Sequence, residues 1–226
     1  MIEAALLALG DALSPPFRAV LLKSIGLSLL ALVVLGAVLE LAATELIGFG
    51  NDALNLATWI LTGIGILAAA GFLMPTVVSA VASFYVDEIA AITERTRYPL
   101  EPEGRAMTMG GALAVGLRFT VIVLVMNLLA LILLLVPGVN LVAWWLINGY
   151  LLGRLYFELA ALRFHPYAEA TALRRLFAGR VFVGGLVIAA FVAIPIVNLA
   201  TPLVATAFMV HVHKDILRRL AAGGAM

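Results

Sequence analysis

Arginine side chains at the ends of long apolar runs are the residues of this sequence best suited to bind a ligand. Arg18, Arg118 and Arg154 each lie at or close to such an end. A guanidinium attracts anions and donates several hydrogen bonds to them. Arg118 and Arg154 therefore predict an anion vestibule. The alternative is an ordinary interfacial ion pair, because Glu158 follows Arg154 by one helical turn.

Amides and prolines within the apolar runs form a second group of candidate residues. Asn127 is isolated in a strongly apolar stretch, while Asn140 and Asn198 each follow a proline, Pro137 and Pro195, by three residues. An amide surrounded by apolar residues normally faces protein and bonds to another helix. These five residues are therefore predicted either at hairpin turns and helix contacts or along a polar pathway.

Enzymatic and metal-dependent functions are not expected. Cysteine is absent, and no metalloprotease, serine hydrolase or nucleotide-binding motif is present. His211 and His213 are two positions apart, about 200° around a helix, so one ion does not easily reach both rings. The sequence predicts neither a catalytic residue, nor a metal site, nor any other cofactor.

The composition identifies the environment in which these residues work. Hydrophobic residues make up 64% of the chain and charged residues 12%, against about 45–50% and about 25% in soluble proteins. The mean hydropathy is +1.15. These values predict an integral membrane protein whose principal partner is the lipid bilayer. The net charge of +1 gives no general attraction to nucleic acids.

The apolar runs predict where the chain enters the membrane. Runs without a charged residue cover 24–39, 53–86, 119–153 and 181–210. The last two are too long for one crossing of about 20 residues and short for two. Each contains the sequence Pro-x-Val-Asn-Leu near its middle, where Pro ends a helix and Asn favours the start of the next. We expect two re-entrant hairpins; the alternative is two ordinary kinked or stacked transmembrane helices.

The predicted fold is an all-α integral membrane domain over residues 1–226. It has an N-terminal interfacial helix, two long transmembrane helices and two hemi-penetrating (re-entrant) helical hairpins. These elements are expected over 1–14, then 16–47 and 53–94, then 106–165 and 178–220, respectively. All of the Lys and Arg residues then lie on one side, which the positive-inside rule makes cytoplasmic.

Several segments of the chain resemble the CysZ sulfate-permease family, which shares a domain with the etoposide-induced membrane proteins. They are the paired Pro-x-Val-Asn-Leu segments, Tyr98-Pro99, and the run from Tyr156-Phe157-Glu158 to Arg163-Phe164-His165-Pro166. The resemblance implies two long transmembrane helices, two pairs of hemi-penetrating helices and a homo-oligomer of antiparallel subunits. The one-sided distribution of Lys and Arg instead favours a single orientation.

The resemblance also implies an anion site at the break before the first long helix. In the family, sulfate lies at a Gly-Leu-Arg-type turn, and the corresponding stretch here is 10–18. Ser14, Phe17 and Arg18 are the residues it places near the anion. Only Arg18 supplies positive charge there, and Asp11 carries the opposite sign. The alternative for Arg18 is a side chain that snorkels to the membrane interface without binding an anion.

The predicted function is therefore that of a multi-pass permease of the bacterial inner membrane for sulfate or a related oxyanion. Transport would be passive or linked to an ion gradient and would feed sulfur assimilation and cysteine synthesis. Because no Lys or Arg lies within the deep apolar runs, conduction is expected to need an oligomer. The alternative is a non-transporting membrane scaffold or lipid-organising protein of the same domain family.

Overall fold

The structure is a computed structural model that describes residues 1–46, 52–133 and 139–223. In this part of the chain the secondary structure is helical and contains no strand, so the prediction of an all-α fold is confirmed. The helices, in chain order, are α1 Ile2–Ala12, α2 Pro15–Leu46, α3 Asp52–Ser83, α4 Val86–Arg97, α5 Met109–Leu133, α6 Val139–Ala161, α7 Tyr167–Leu176, α8 Ala178–Val192, α9 Pro195–Asn198 and α10 Thr201–Gly223.

Several of these helices are long and apolar enough to cross a membrane. In the described residues they are Pro15–Ala42 in α2, Asp52–Met74 in α3 and Gly110–Leu133 in α5. Two further bent pairs would each make a broken span or a re-entrant loop: Thr76–Ser83 with Val86–Arg97, and Tyr167–Leu176 with Ala178–Val192. The protein is therefore a multi-pass α-helical membrane protein.

The two hairpins have arms of different length. In the first, the 24-residue span of α5 extends about 36 Å, which exceeds a hydrocarbon thickness of about 30 Å. In the second, the 15 residues of α8 extend only about 22 Å. The sequence predicts two long spans, and α5 adds a third helix of sufficient length.

A bend divides the helix that was expected over 53–94. The axes of α3 and α4 differ by 60°. At the bend, the amides of Phe84 and Tyr85 donate to carbonyls three residues earlier, at 3.1 Å and 3.0 Å. This tighter pattern interrupts the α-helical ladder. It turns the charged helix α4 onto the core, where Ile89 and Ala90 are buried.

The last helix, α10, forms the centre of the fold. Every residue from 201 to 214 is buried, and α10 contacts α1, α3, α4, α6 and α8. A helix that is buried on all sides has to be covered by neighbours on all sides. The segment predicted as one arm of the second hairpin is therefore the helix around which the others pack.

Glycines bring α6 and α8 into backbone contact. A Cβ atom added to Gly185 of α8 would collide with the carbonyl oxygen of Gly149, and one added to Gly153 would collide with that of Val181. Gly149 and Gly153 are four residues apart, so they lie on one face of α6. Small residues at this spacing let membrane helices approach closely. This contact joins the first hairpin to the second.

The hairpin turns differ in detail from the expectation. Asn198 lies between α8 and α10 as predicted, but it is the last residue of α9, and α10 begins only at Thr201. Asn140 belongs to the first turn of α6, which begins at Val139. Pro137 lies outside the described residues, as do the side chains of Asn140 and Pro195.

Candidate anion site

Two arginines and one glutamate meet between α6 and α7, and a third arginine, on α5, lies beside them against the Tyr167 ring. This arginine cluster consists of Arg118 of α5, Arg154 and Glu158 of α6, and Arg174 of α7. Arg174 Nε donates a hydrogen bond of 2.8 Å to Glu158 Oε1. Arg154 Nε lies 3.3 Å from the same oxygen. Both arginines therefore approach one buried carboxylate.

Tyrosine rings join the outer part of the arginine cluster. The Arg118 guanidinium carbon lies 4.4 Å from the ring centroid of Tyr167, the first residue of α7. Arg154 Nη1 lies 3.4 Å from the hydroxyl of Tyr150, and the phenol of Tyr167 is close enough to interact with the charge of Arg154. The cation–π contact holds Arg118 beside α7. Two sequence-predicted residues, Arg118 and Arg154, are thus brought into one neighbourhood.

The charges of the arginine cluster do not balance. Glu158 is the only carboxylate that pairs with these arginines among the described residues, and it is 4% exposed. Arg154 Nε is buried and makes no hydrogen bond, although it lies within ion-pair distance of Glu158. An unsatisfied buried donor costs about 1–3 kcal/mol. An acceptor with negative charge would satisfy this N–H and offset the excess of positive charge.

Arg174 was not among the residues predicted from the sequence. It follows Glu158 by 16 positions and lies on another helix. Its neighbour Arg175 is exposed instead. The only local signal was the Arg174-Arg175 pair itself, and it does not reveal which of the two faces the carboxylate.

The residues that the resemblance placed at the first helix break differ in how far their side chains are exposed. Phe17 is 2% exposed and belongs to the hydrophobic core. Arg18 is exposed, and no hydrogen bond or ion pair links its side chain to another described residue. The carbonyl of Ser14 accepts a hydrogen bond of 3.1 Å from the Arg18 amide, at the start of α2. Arg18 is therefore available to a ligand, whereas the Phe17 ring is enclosed.

Asp11, beside the same break, has its charge compensated within the protein. Its carboxylate accepts hydrogen bonds of 2.7 Å from Arg97 Nε and pairs at 2.9 Å with His211 Nε2. The other ring nitrogen of His211 lies 2.7 Å from the hydroxyl of Tyr98. Burial alone would raise the pKa of Asp11, but the hydrogen bonds from His211 and Arg97 outweigh it and hold that pKa below 3.8. Burial raises the pKa of Tyr98 to about 12.

A second buried ionic network, also missed from the sequence, holds α4 against the end of α6. Arg163 is 5% exposed. It donates to Glu94 at 2.7 Å and 3.2 Å, to the carboxylate and carbonyl of Asp87 at 2.8 Å and 3.3 Å, and to the carbonyl of Gly104 at 3.3 Å. Glu94 also accepts the Gly104 amide at 2.8 Å. All N–H groups of this arginine are used, so it has none left for a ligand.

Two of the amides proposed for a polar pathway, Asn127 and Asn198, have no contact with the arginine cluster in the described part of the chain. Asn127 is exposed on α5 and donates a hydrogen bond of 2.8 Å to the carbonyl of Val123 in its own helix. Asn198 is partly buried at the hairpin turn. A pathway role for these residues stays a prediction.

The chain was compared with known proteins. The family described as Sulfate transporter CysZ/Etoposide-induced protein 2.4 matches residues 4–202. No curated protein matches the chain. The family match extends from α1 to the start of α10 and includes the whole arginine cluster. With this match over most of its length, the chain belongs to the family of the sulfate transporter CysZ and the etoposide-induced protein 2.4.

Proposed function

We propose that this protein is a permease of the bacterial inner membrane for sulfate or a related oxyanion, acting passively or with an ion gradient and supplying sulfur assimilation. Two findings support the proposal: the multi-pass helical fold and membership of a family described as a sulfate transporter. The arginine cluster is the proposed binding site for the anion.

The observation that carries the proposal is the unpartnered Nε of Arg154, buried in a cluster with more arginines than carboxylates. A doubly charged oxyanion would accept this N–H and balance the positive charge. Because Arg174 alone forms a 2.8 Å hydrogen bond with Glu158, Arg154 is not needed to neutralise that carboxylate. We assign Arg154 and Arg118 to anion binding and Arg174 to positioning Glu158.

Arg18 is a second proposed contact for the anion, at the break between α1 and α2. Its side chain is exposed and unpaired within the described residues. Arg97 and His211 compensate the charge of Asp11. This carboxylate therefore repels an approaching anion less than an unpaired aspartate would. Ser14 would contribute its hydroxyl.

We further propose that conduction requires a homo-oligomer. In the spanning parts of α3 and α5 nearly all described residues are exposed or half-buried within the subunit, Val115 of α5 being buried. Their side chains are therefore free to meet lipid or a second copy of the chain. A pathway between copies would surround the anion with protein, so that its charge does not have to enter the hydrocarbon of the bilayer.

Uptake of radiolabelled sulfate into liposomes that contain the purified protein tests the proposal. We expect uptake above that of empty liposomes, a lower rate with Arg18→Ala and with Arg154→Gln, and loss of flux in cross-link-verified monomers. Absence of uptake by folded, oligomeric protein would contradict the proposal. It would favour the alternative of a non-transporting scaffold or lipid-organising protein.

A further inference from the structure

A cavity unrelated to the arginine cluster lies between α5 and the core of the protein. It has a volume of about 450 Å³ and is bounded by the bend between α3 and α4, by α5, by α6 and by α10. Cavities of this size hold small molecules or parts of larger ones. The lining is mostly apolar, with Leu155, Leu159 and Ala160 from α6 and Gly116 from α5.

The lining of the cavity has a charged part and an apolar part. Asp87, near the start of α4, and Arg163, just beyond α6, are its charged residues. Pro202 and Thr206, in the first turns of α10, also line it. A ligand that fits has to be amphipathic, with its polar part beside Asp87 and its apolar part against the apolar lining.

Most polar groups that line this cavity are already hydrogen-bonded within the protein. Arg163 uses all of its donors on Glu94, Asp87 and Gly104. The Ser83 hydroxyl donates to the carbonyl of Ala80 at 2.6 Å, and that of Thr206 to the carbonyl of Pro202 at 2.6 Å. The cavity therefore offers no unpaired cation for a free anion such as sulfate, and an anionic group that enters has to bring its own positive counter-charge.

Tyr156 and Asp87 retain capacity for a ligand. Tyr156 is 8% exposed, lines the cavity, and its hydroxyl has no hydrogen-bond partner in the described part of the chain. The Asp87 carboxylate accepts Arg163 through one oxygen and its side chain is 43% exposed. A buried tyrosine hydroxyl usually finds a partner. The ligand should thus carry an oxygen acceptor for Tyr156 and a cationic group for Asp87.

We propose that this cavity binds one phospholipid of the phosphatidylethanolamine type. Its ester carbonyl accepts the hydrogen bond of Tyr156, its ammonium group lies beside Asp87, and one acyl chain occupies the apolar part. Tyr156 precedes the end of α6 at Ala161 by five residues, or about 7–8 Å along the helix, and Arg163, the ion-pair partner of Asp87, follows two residues later. That separation suits an extended ethanolamine head group, which has to connect the two contacts.

Native mass spectrometry of the full-length protein, released from mild detergent, tests this site. The probes are phosphatidylethanolamine and phosphatidylglycerol with identical acyl chains, each titrated separately. We expect one phosphatidylethanolamine to be retained per chain, several-fold more tightly than phosphatidylglycerol. Tyr156→Phe keeps the ring and removes the hydroxyl, so it should weaken retention of phosphatidylethanolamine several-fold.

Gly116→Phe and Gly63→Phe form a matched pair of variants. Nothing lies within 4 Å of a Cβ atom added at either position, so neither addition meets a neighbouring atom. Gly116 lines the cavity and Gly63, on α3, does not. The added ring should abolish lipid retention at Gly116 and leave it unchanged at Gly63.

The proposal is overturned if both lipids bind equally, if Tyr156→Phe retains phosphatidylethanolamine as well as the unchanged protein does, or if the two glycine variants behave alike. Should Gly116→Phe fail to fold, the head-group preference and Tyr156→Phe still decide the outcome.

Discussion

Replacing Arg163 by methionine should destabilise the protein strongly. Methionine preserves the unbranched aliphatic part of the arginine side chain but lacks the guanidinium that pairs with Glu94 and Asp87. Glu94 is 2% exposed, and its carboxylate would keep only the Gly104 amide as hydrogen-bond donor. Asp87 is partly exposed and would be solvated. The cost therefore falls mainly on Glu94.

The expected loss is about 3–5 kcal/mol, the usual effect of removing one partner from a buried ion pair. For a chain of this length, that corresponds to a fall of about 6–20 °C in the unfolding midpoint. Thermal unfolding of the purified protein in one detergent, followed by circular dichroism, measures this fall. Glu94→Gln in the Arg163→Met background should recover part of it, because the unpaired charge is then removed.

Arg95→Met is the matched control. Arg95 pairs with Glu103 at 2.9 Å, but their side chains are 65% and 51% exposed. An exposed pair contributes about 0–1 kcal/mol, so this variant should unfold within a few degrees of the unchanged protein. Equal midpoints for Arg163→Met and Arg95→Met would refute the claim that the buried network stabilises the fold.

Two further predictions concern the packing of the helices. Gly185→Ala should lower the unfolding midpoint by several degrees, because its Cβ collides with the backbone of Gly149. Gly179→Ala on the same helix meets open space and should leave the midpoint unchanged. Similar midpoints for the two variants would contradict the close contact between α6 and α8. Because the pKa of Asp11 is held below 3.8 in the folded protein, its pairing with His211 stabilises the fold at pH values above 3.8 and is lost as the pH falls below it. Asp11→Asn should therefore be less stable than the unchanged protein at pH 6, with the difference shrinking below pH 3.8; a difference independent of pH would refute this sign.

The membrane architecture was largely predictable from the sequence because it depends on local properties. Charge-free runs mark the apolar helices, and the prolines of the Pro-x-Val-Asn-Leu segments mark the hairpin turns. The central position of α10 was not predictable in this way. A helix covered by protein on all sides and one covered by lipid have similar compositions, and only the partners of α10 distinguish them.

Long-range pairing also explains which parts of the candidate site were missed. Arg118 and Arg154 were identified because each ends an apolar run. The hydrogen bond from Arg174 to Glu158, by contrast, depends on how α7 packs against α6. Likewise, Gly149 and Gly153 are visible as a spaced pair in the sequence, but the need for Gly185 opposite them appears only when α6 and α8 meet.

The central claim is that Arg154 binds the transported anion. Its most direct test is the sulfate concentration that gives half-maximal uptake into proteoliposomes, measured for the unchanged protein, Arg154→Gln and Arg175→Gln. Loss of a charge-assisted hydrogen bond of about 1.5–3 kcal/mol should raise this concentration about 10- to 150-fold in Arg154→Gln. Arg175 is exposed and its variant should match the unchanged protein. The same half-maximal concentration in all three proteins would contradict the assignment of the arginine cluster as the anion site.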